Sequence, residues 1–183
     1  FRTMQGGRIR RDQTRTFTYN GKTLTGFAGD TVAATLLAHG IHLVARSFKY
    51  HRPRGIVAAG IEEPNALMTV GTGSAQEPNI AATVIETHAG LAVRTQNAWP
   101  SVEFDAMAIN SLLSPLFVAG FYYKTFMGPT RKAWMLYEYF IRKAAGLGTA
   151  SQEADPDRYD WHHGFTDLLV IGSGPAGLSA ALA

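Results

Sequence analysis

The sequence predicts an α+β protein that ends in the start of an α/β, Rossmann-type fold. Two alternating runs joined by Asn20-Gly21 predict a β-hairpin, and segment 31–39, which favours a helix, follows directly. Near the carboxyl end, an apolar run at 168–171 precedes a glycine-rich turn and an Ala- and Leu-rich stretch. Segment 131–145 between them has helical propensity. We therefore expect a β-grasp-like domain, a helical connector and the beginning of a dinucleotide-binding domain.

The β-grasp-like domain is expected at residues 15–96, after a loose basic lead-in at 1–14. Asp30 stands where a helix N-cap is expected, and Gly40 can supply the left-handed residue that ends the helix. Later apolar segments of this domain predict short strands, at 67–70 and 91–95.

A helical connector and loop are expected at residues 97–164, with a helix that ends at Gly146. The connector is rich in aromatic residues, which either form an ordinary core or face another domain or subunit. These residues are Phe117, Phe121, Tyr122, Tyr123, Phe126, Trp134, Tyr137, Tyr139 and Phe140.

Residues 165–183 are expected to form the first strand, glycine turn and helix start of a truncated NAD-binding domain. In this motif Gly172 permits a sharp turn, Gly174 lets backbone N–H groups approach a pyrophosphate, and Gly177 lets the helix pack closely on the strand. A glycine-rich turn without a ligand is the alternative. The candidate cofactor-binding residues are Gly172, Ser173, Gly174, Pro175, Ala176 and Gly177.

Composition restricts the possible functions. The net charge of +3 is mild, and the basic residues lack the aromatic-interleaved pattern of a nucleic-acid groove, so no nucleic acid is expected as a partner. The most apolar stretch, 112–127, is interrupted by Pro115 and Lys124, so we expect no membrane span. No signal-peptide pattern is seen, and a cytoplasmic location is expected. Because the sequence contains 0 cysteines, we expect no disulfide, cysteine nucleophile or cysteine-ligated metal cluster.

Smaller groups of polar residues leave several interpretations open. The adjacent Glu62 and Glu63 make a poor acid/base pair, and solvation or hydrogen bonding to nearby backbone is favoured. Surface histidines are favoured over a metal site for His39 and His42. No catalytic residue and no metal ligand is predicted.

A basic run either contacts an acidic partner or a cofactor phosphate, or is a solvated loop: Arg46, Lys49, His51, Arg52 and Arg54.

The chain contains several long segments of unusual composition, which lie at 46–56, 62–70, 76–80, 96–101, 110–117 and 120–127. Together these segments resemble the alpha subunits of heterotetrameric sarcosine oxidases. The resemblance covers nearly the whole chain and continues into the glycine motif.

The resemblance implies a ferredoxin-like scaffold for the amino-terminal domain. Related subunits carry cysteines at the plant-type spacing of four and then two intervening residues, followed by a distant fourth. The matching positions here are Ala58, Glu63, Ala66 and Thr83. The resemblance therefore implies a domain with no iron–sulfur cluster.

The resemblance also implies an activity and partners. The family's multi-subunit flavoenzyme oxidises sarcosine to glycine and hydrogen peroxide and passes the one-carbon unit to tetrahydrofolate. The alpha subunit would carry NAD, while FAD and FMN would be held mainly through the beta subunit. Its partners would be beta, gamma and delta subunits, and the isolated fragment would be inactive. The alternative is a non-catalytic docking module of a related amine or opine oxidase complex.

Overall fold

A computed structural model describes residues 2–121, 126, 128–130 and 132–183 of the chain. The described residues form a mixed α+β fold, as the sequence predicts. Its strands are β1 Arg10–Tyr19, β2 Lys22–Ala28, β3 Ala45–Arg46, β4 Pro53–Arg54, β5 Leu67–Val70, β6 Glu77–Ala81 and β7 Ala92–Thr95. Its α-helices are α1 Val32–Ala38, α2 Ala133–Ala145 and α3 Pro175–Leu182. Short 3-10 helices lie at Gly73–Ala75, Ala106–Ser111 and Ser114–Leu116.

The largest element is a five-stranded sheet in the order β2-β1-β7-β5-β6. Strands β1 and β7 pair in parallel, and the other pairs are antiparallel. The predicted hairpin is confirmed, because β1 turns into β2 through Asn20 and Gly21, whose φ angles are 48° and 77°. Two positive φ angles match the twist of the flanking strands, and they explain the Asn-Gly pair. Strand β1 begins at Arg10, inside the expected lead-in, because Arg10 pairs with Ala28 of β2.

Helix α1 begins one residue later than the sequence predicts. Its N-cap is Thr31, whose hydroxyl accepts a hydrogen bond from the Ala34 N–H at 3.1 Å. The expected cap, Asp30, instead accepts the Phe27 N–H at 2.8 Å and pairs with Arg2 at 2.5 Å. The Asp30 carboxylate turns back toward the preceding loop, which leaves the neighbouring threonine to cap the helix.

Helix α1 packs against one face of the sheet and completes the core. Val32 and Leu36 are fully buried, and the helix ends where predicted, before Gly40 at φ 72°. Burial of this apolar surface is the main favourable term in folding the domain. The core consists of Phe17, Tyr19, Val32, Ala33, Leu36, Val44, Ala45, Ala66, Met68, Ala82, Ile85, Leu91 and Val93.

The predicted helix of the connector is α2, which ends at Gly146 in the left-handed region at φ 69°. The helix therefore ends at the residue that the sequence predicts. Three residues named in the sequence analysis, Tyr122, Tyr123 and Lys124, lie outside the described residues.

The carboxyl-terminal part differs from the sequence prediction in one element. Helix α3 is present, but residues 168–171 are not in a strand, and Leu168 and Ile171 are 76% and 88% exposed. A strand is held by hydrogen bonds to a neighbouring strand, and no pairing of this run occurs among the residues described. An apolar sequence therefore does not suffice to make the strand. None of the helices within the described ranges has the length and apolar character needed to cross a membrane.

Candidate functional site

Within the described part of the chain, a well-organised polar group is the loop of residues 57–66, which we name the Glu63 loop. Its centre is the carboxylate of Glu63, which is only 2% exposed. Both carboxylate oxygens accept hydrogen bonds from the backbone of the loop itself. The donors are the N–H groups of Val57 and Ala58, at 2.7 Å each, and of Asn65 and Ala66, at 2.8 and 3.2 Å.

These contacts determine the charge of Glu63. Burial raises the pKa of its carboxyl, but the backbone N–H bonds outweigh burial and hold the pKa below its ordinary value. Glu63 is therefore ionised near neutral pH. The neighbouring Glu62 is exposed and accepts one backbone bond, from Gly60 at 3.2 Å. Of the interpretations left open for the two glutamates, hydrogen bonding to nearby backbone describes Glu63.

A second residue closes the Glu63 loop onto the domain. The buried hydroxyl of Thr83 donates a hydrogen bond to the carbonyl oxygen of Gly60 at 2.6 Å. Ala66, at the end of the loop, is fully buried in the core, and its carbonyl accepts the Ala82 N–H at 2.8 Å. The loop is thus fixed at both its middle and its end.

A buried histidine links this domain to the connector. His51 Nδ1 lies 2.6 Å from Asp105 Oδ2, and His51 Nε2 lies 2.6 Å from the carbonyl oxygen of Ala144 in α2. Both ring nitrogens face hydrogen-bond acceptors. A protonated imidazole carries two N–H donors and can bond both acceptors, whereas a neutral ring carries one donor and can bond only one of them. The other oxygen of Asp105 accepts the N–H groups of Trp99 and Met107 at 3.1 Å each.

The basic run at 46–54 serves contacts within the chain. The Arg46 guanidinium donates to the carbonyl oxygens of Val102 at 2.8 Å and Glu103 at 3.0 Å. Lys49 and Arg52 both lie over the ring of Tyr50, at 4.9 and 4.8 Å from its centroid. Such cation–π contacts and carbonyl bonds fix the loop internally. Arg52 and Arg54 remain exposed, so an acidic partner or a cofactor phosphate stays a prediction for this run.

The glycine turn has the backbone features that the sequence predicts for it. Gly172 has a φ of 108°, in the region that favours glycine, and Gly174 caps α3 with Pro175 in the first turn. A Cβ atom at Gly177 would collide with the carbonyl oxygen of Gly172. The turn therefore requires glycine at 172 and 177 for steric reasons. Ser173 and Ala176 lie within the same turn and first helical residues.

The aromatic residues of the connector divide into a packed group and an exposed group. The rings of Phe117 and Phe121 meet edge to face at 5.3 Å, and Phe126 and Tyr137 lie 5.3 Å apart. With Phe48 and Phe140 these rings line a cavity of about 360 Å³. Other apolar side chains of α2 face solvent, namely Met135, Leu136 and Tyr139, and Phe140, which also lines the cavity, is itself 60% exposed.

Comparison with known proteins gives a family match for the amino-terminal domain and relatives for the whole chain. Residues 12–98 match the family described as 2Fe-2S iron-sulfur cluster binding domain. The chain is 56% identical over 182 residues to sarcosine oxidase subunit alpha of Rhizobium meliloti (strain 1021), covering 100% of this chain and 18% of that relative. It is 36% identical over 179 residues to sarcosine oxidase subunit alpha of Corynebacterium sp. (strain U-96), covering 96% of this chain and 14% of that relative.

The chain is therefore a homologue of the amino-terminal part of sarcosine oxidase alpha subunits, as the sequence resemblance indicates. It spans about 18% of the length of the Rhizobium relative. Among solved structures it is similar to the L-proline dehydrogenase from P. horikoshii, with 24% identity and a TM-score of 0.39 over 50% of this chain and 17% of that one. At this TM-score the structural likeness carries no functional argument.

The family match corrects our cofactor prediction. That prediction combined NAD, flavins and tetrahydrofolate with the absence of an iron–sulfur cluster, whereas the matched family is described as binding a 2Fe-2S cluster. The side chains present do not fit such a group, because clusters are held by thiolates and the sequence contains 0 cysteines. At the positions that the resemblance implies for the ligands, Ala58 and Ala66 carry methyl groups, Thr83 donates to the carbonyl of Gly60, and Glu63 accepts backbone N–H groups. The family assignment and the donor set of this chain therefore disagree.

Sequence reasoning missed the contact of His51 with Asp105 and Ala144. The three residues are separated by 54 and 93 positions along the chain. His51 stands within a basic run, and nothing in its sequence context indicates burial. A cluster of His, Cys, Asp or Glu suited to a metal ion is absent from the described part of the chain.

Proposed function

We propose that the chain is the amino-terminal part of the alpha subunit of a multi-subunit oxidase that acts on sarcosine. The complex would oxidise sarcosine to glycine, molecular oxygen would accept the two electrons to give hydrogen peroxide, and the one-carbon unit would pass to tetrahydrofolate. The observation that carries the proposal is the 56% identity over 182 residues to a sarcosine oxidase alpha subunit. Relatives named as subunits also support an assembly with other chains.

In that assembly the described residues would act as a scaffold. Apolar side chains at 135, 136, 139 and 140 of α2 are between 57% and 67% exposed. Exposed apolar surface of this extent is typical of regions that contact another domain or subunit. This surface supports a docking role for α2, which the contact of His51 with Ala144 joins to the amino-terminal domain.

The segment from residue 165 would begin a dinucleotide-binding domain. The apolar run at 168–171, the turn at 172–174 and helix α3 follow in the order that this motif requires. The N–H groups at the start of α3 would receive the pyrophosphate, because a helix amino end favours negative charge. The neighbouring strands that complete such a domain would also supply the pairing that residues 168–171 lack here.

The enzymatic proposal is tested with the full-length subunit purified together with its partner subunits. Peroxide is measured with sarcosine as substrate, and glycine and a secondary amino acid such as proline serve as comparison substrates. Turnover of sarcosine in excess of proline supports the proposal. Turnover of another amine with no response to sarcosine would favour the related amine or opine oxidase.

The dinucleotide site is tested by Gly177→Ala in the full-length subunit. A Cβ atom at this position would collide with Gly172, so the turn would have to distort, and bound dinucleotide should be lost. Gly164→Ala is the matched control, because a Cβ there meets no atom within 4 Å. Nucleotide released on denaturation is measured by chromatography, and equal release from both variants would contradict the proposed site.

A further inference from the structure

The disagreement between the family and the donor set of this chain centres on Glu63. We propose that the Glu63 carboxylate is a built-in anion that organises the Glu63 loop and occupies its backbone N–H cradle. The inference is independent of the enzymatic proposal, because it concerns how this chain's own residues fill the loop. It goes beyond the family match, which assigns a class of domain but no role to this carboxylate.

The first argument is the geometry of the donors. One pair of N–H groups, at positions 57 and 58, precedes Glu63, and the other pair, at 65 and 66, follows it. Each pair binds a different carboxylate oxygen, so the chain wraps around the anion from both sides. Successive backbone N–H groups that converge in this way form a concave site for negative charge.

The second argument concerns the source of stabilisation. Glu63 is buried but takes part in none of the ion pairs found among the described residues, which join Arg2 to Asp30 and Arg142 to Glu138. An ionised buried carboxylate without a counter-ion requires several hydrogen bonds. The four backbone N–H groups of the loop meet this requirement.

The third argument links the carboxylate to the rest of the domain. The Ala66 N–H that binds Glu63 belongs to the residue directly before β5, and the Ala66 carbonyl accepts the Ala82 N–H. The Glu63 N–H in turn donates to the Gly60 carbonyl at 3.2 Å, which also receives the Thr83 hydroxyl. Loss of the anion should therefore loosen the loop while the sheet stays formed.

The test compares Glu63→Gln with Glu62→Gln in the full chain at neutral pH. Glutamine keeps the size of the side chain but replaces one acceptor oxygen with an NH2 group that faces backbone N–H donors. We expect amide hydrogen exchange in peptides covering 57–66 to become at least about tenfold faster in Glu63→Gln, because charge-assisted bonds are lost. Exchange in β5 should stay slow, and Glu62→Gln should match the wild type. Unchanged exchange in Glu63→Gln, or equal effects of both variants, would overturn the proposal.

Two further measurements, of anion rescue and of iron and sulfide content, test the proposal independently of Glu63→Gln. In Glu63→Ala the cradle is open, and formate should restore slow exchange of the loop while chloride at equal ionic strength does not. If Glu63→Gln does not fold, the test is the refolding of Glu63→Ala in each salt. Recovery of the folded state with formate but not with chloride supports the built-in anion, and failure to recover it with either salt refutes the proposal. Iron and acid-labile sulfide bound stoichiometrically to the purified wild-type chain would also refute it.

Discussion

Substitution of Asp105 by asparagine should destabilise the chain strongly. The carboxylate is buried, and it accepts one bond from His51 and two from backbone N–H groups. An asparagine of the same size removes the negative charge and presents an NH2 group either to the His51 ring or to the Trp99 and Met107 N–H groups. Leaving a buried hydrogen-bonding group unsatisfied in this way costs about 1–3 kcal/mol, and more where the group is charged.

The expected loss can be measured as a change in thermal and urea unfolding. For a chain of this length, about 3 kcal/mol corresponds to a decrease of roughly 6–12 °C in Tm. Asp160→Asn is the matched control, because Asp160 is exposed and should shift Tm by no more than about 1–2 °C.

Two results would refute the reasoning. A similar small shift in both variants would show that the contact of Asp105 with His51 contributes little to stability. Loss of stability without any loosening of α2 would show that the Ala144 bond does not join the connector to the domain. Hydrogen exchange of α2 distinguishes these cases, because its carboxyl-terminal turn should exchange faster only if the His51 contact holds it.

Further predictions concern Glu63, the core and Tyr19. Because the folded pKa of Glu63 lies below its ordinary 4.5, its carboxylate stabilises the fold above that pH and loses this effect as pH falls through the folded value. The stability difference between wild type and Glu63→Gln, measured by urea unfolding, should therefore shrink below about pH 4.5, and a constant difference would contradict the assignment. Leu36→Ala should cost about 2–5 kcal/mol, and clearly more than Leu37→Ala, because Leu36 is 0% and Leu37 is 37% exposed. Burial raises the pKa of Tyr19 to about 12, so Tyr19→Phe should leave the tyrosinate absorbance of the folded chain at pH 11 unchanged.

Local sequence signals predicted the turns and helix ends well. Asn20-Gly21 gives the hairpin, and Gly40 and Gly146 follow the ends of α1 and α2 at φ 72° and 69°. These signals succeed because a left-handed backbone is sterically open to glycine and tolerated by asparagine, independently of the rest of the fold. The resemblance to sarcosine oxidase alpha subunits was also available from the sequence.

Competition between neighbouring residues was harder to predict. Asp30 and Thr31 are both good N-cap residues, and the choice between them depends on Phe27 and Arg2, which bind Asp30 in the folded chain. The apolar run at 168–171 likewise carries a strand pattern, but a strand forms only with a partner. Local preference was therefore a poor guide wherever a distant group decided the outcome.

The sequence by itself determined the class of fold, the places where the chain turns, and the glycines that the turn before α3 requires. Only the tertiary structure decided which polar groups are buried together. Glu63 became the centre of a backbone cradle, and His51 met Asp105 and Ala144 across 54 and 93 positions. The physical reason is that φ preferences act within one or two residues, whereas burial of a charge depends on hydrogen-bond partners that folding brings together.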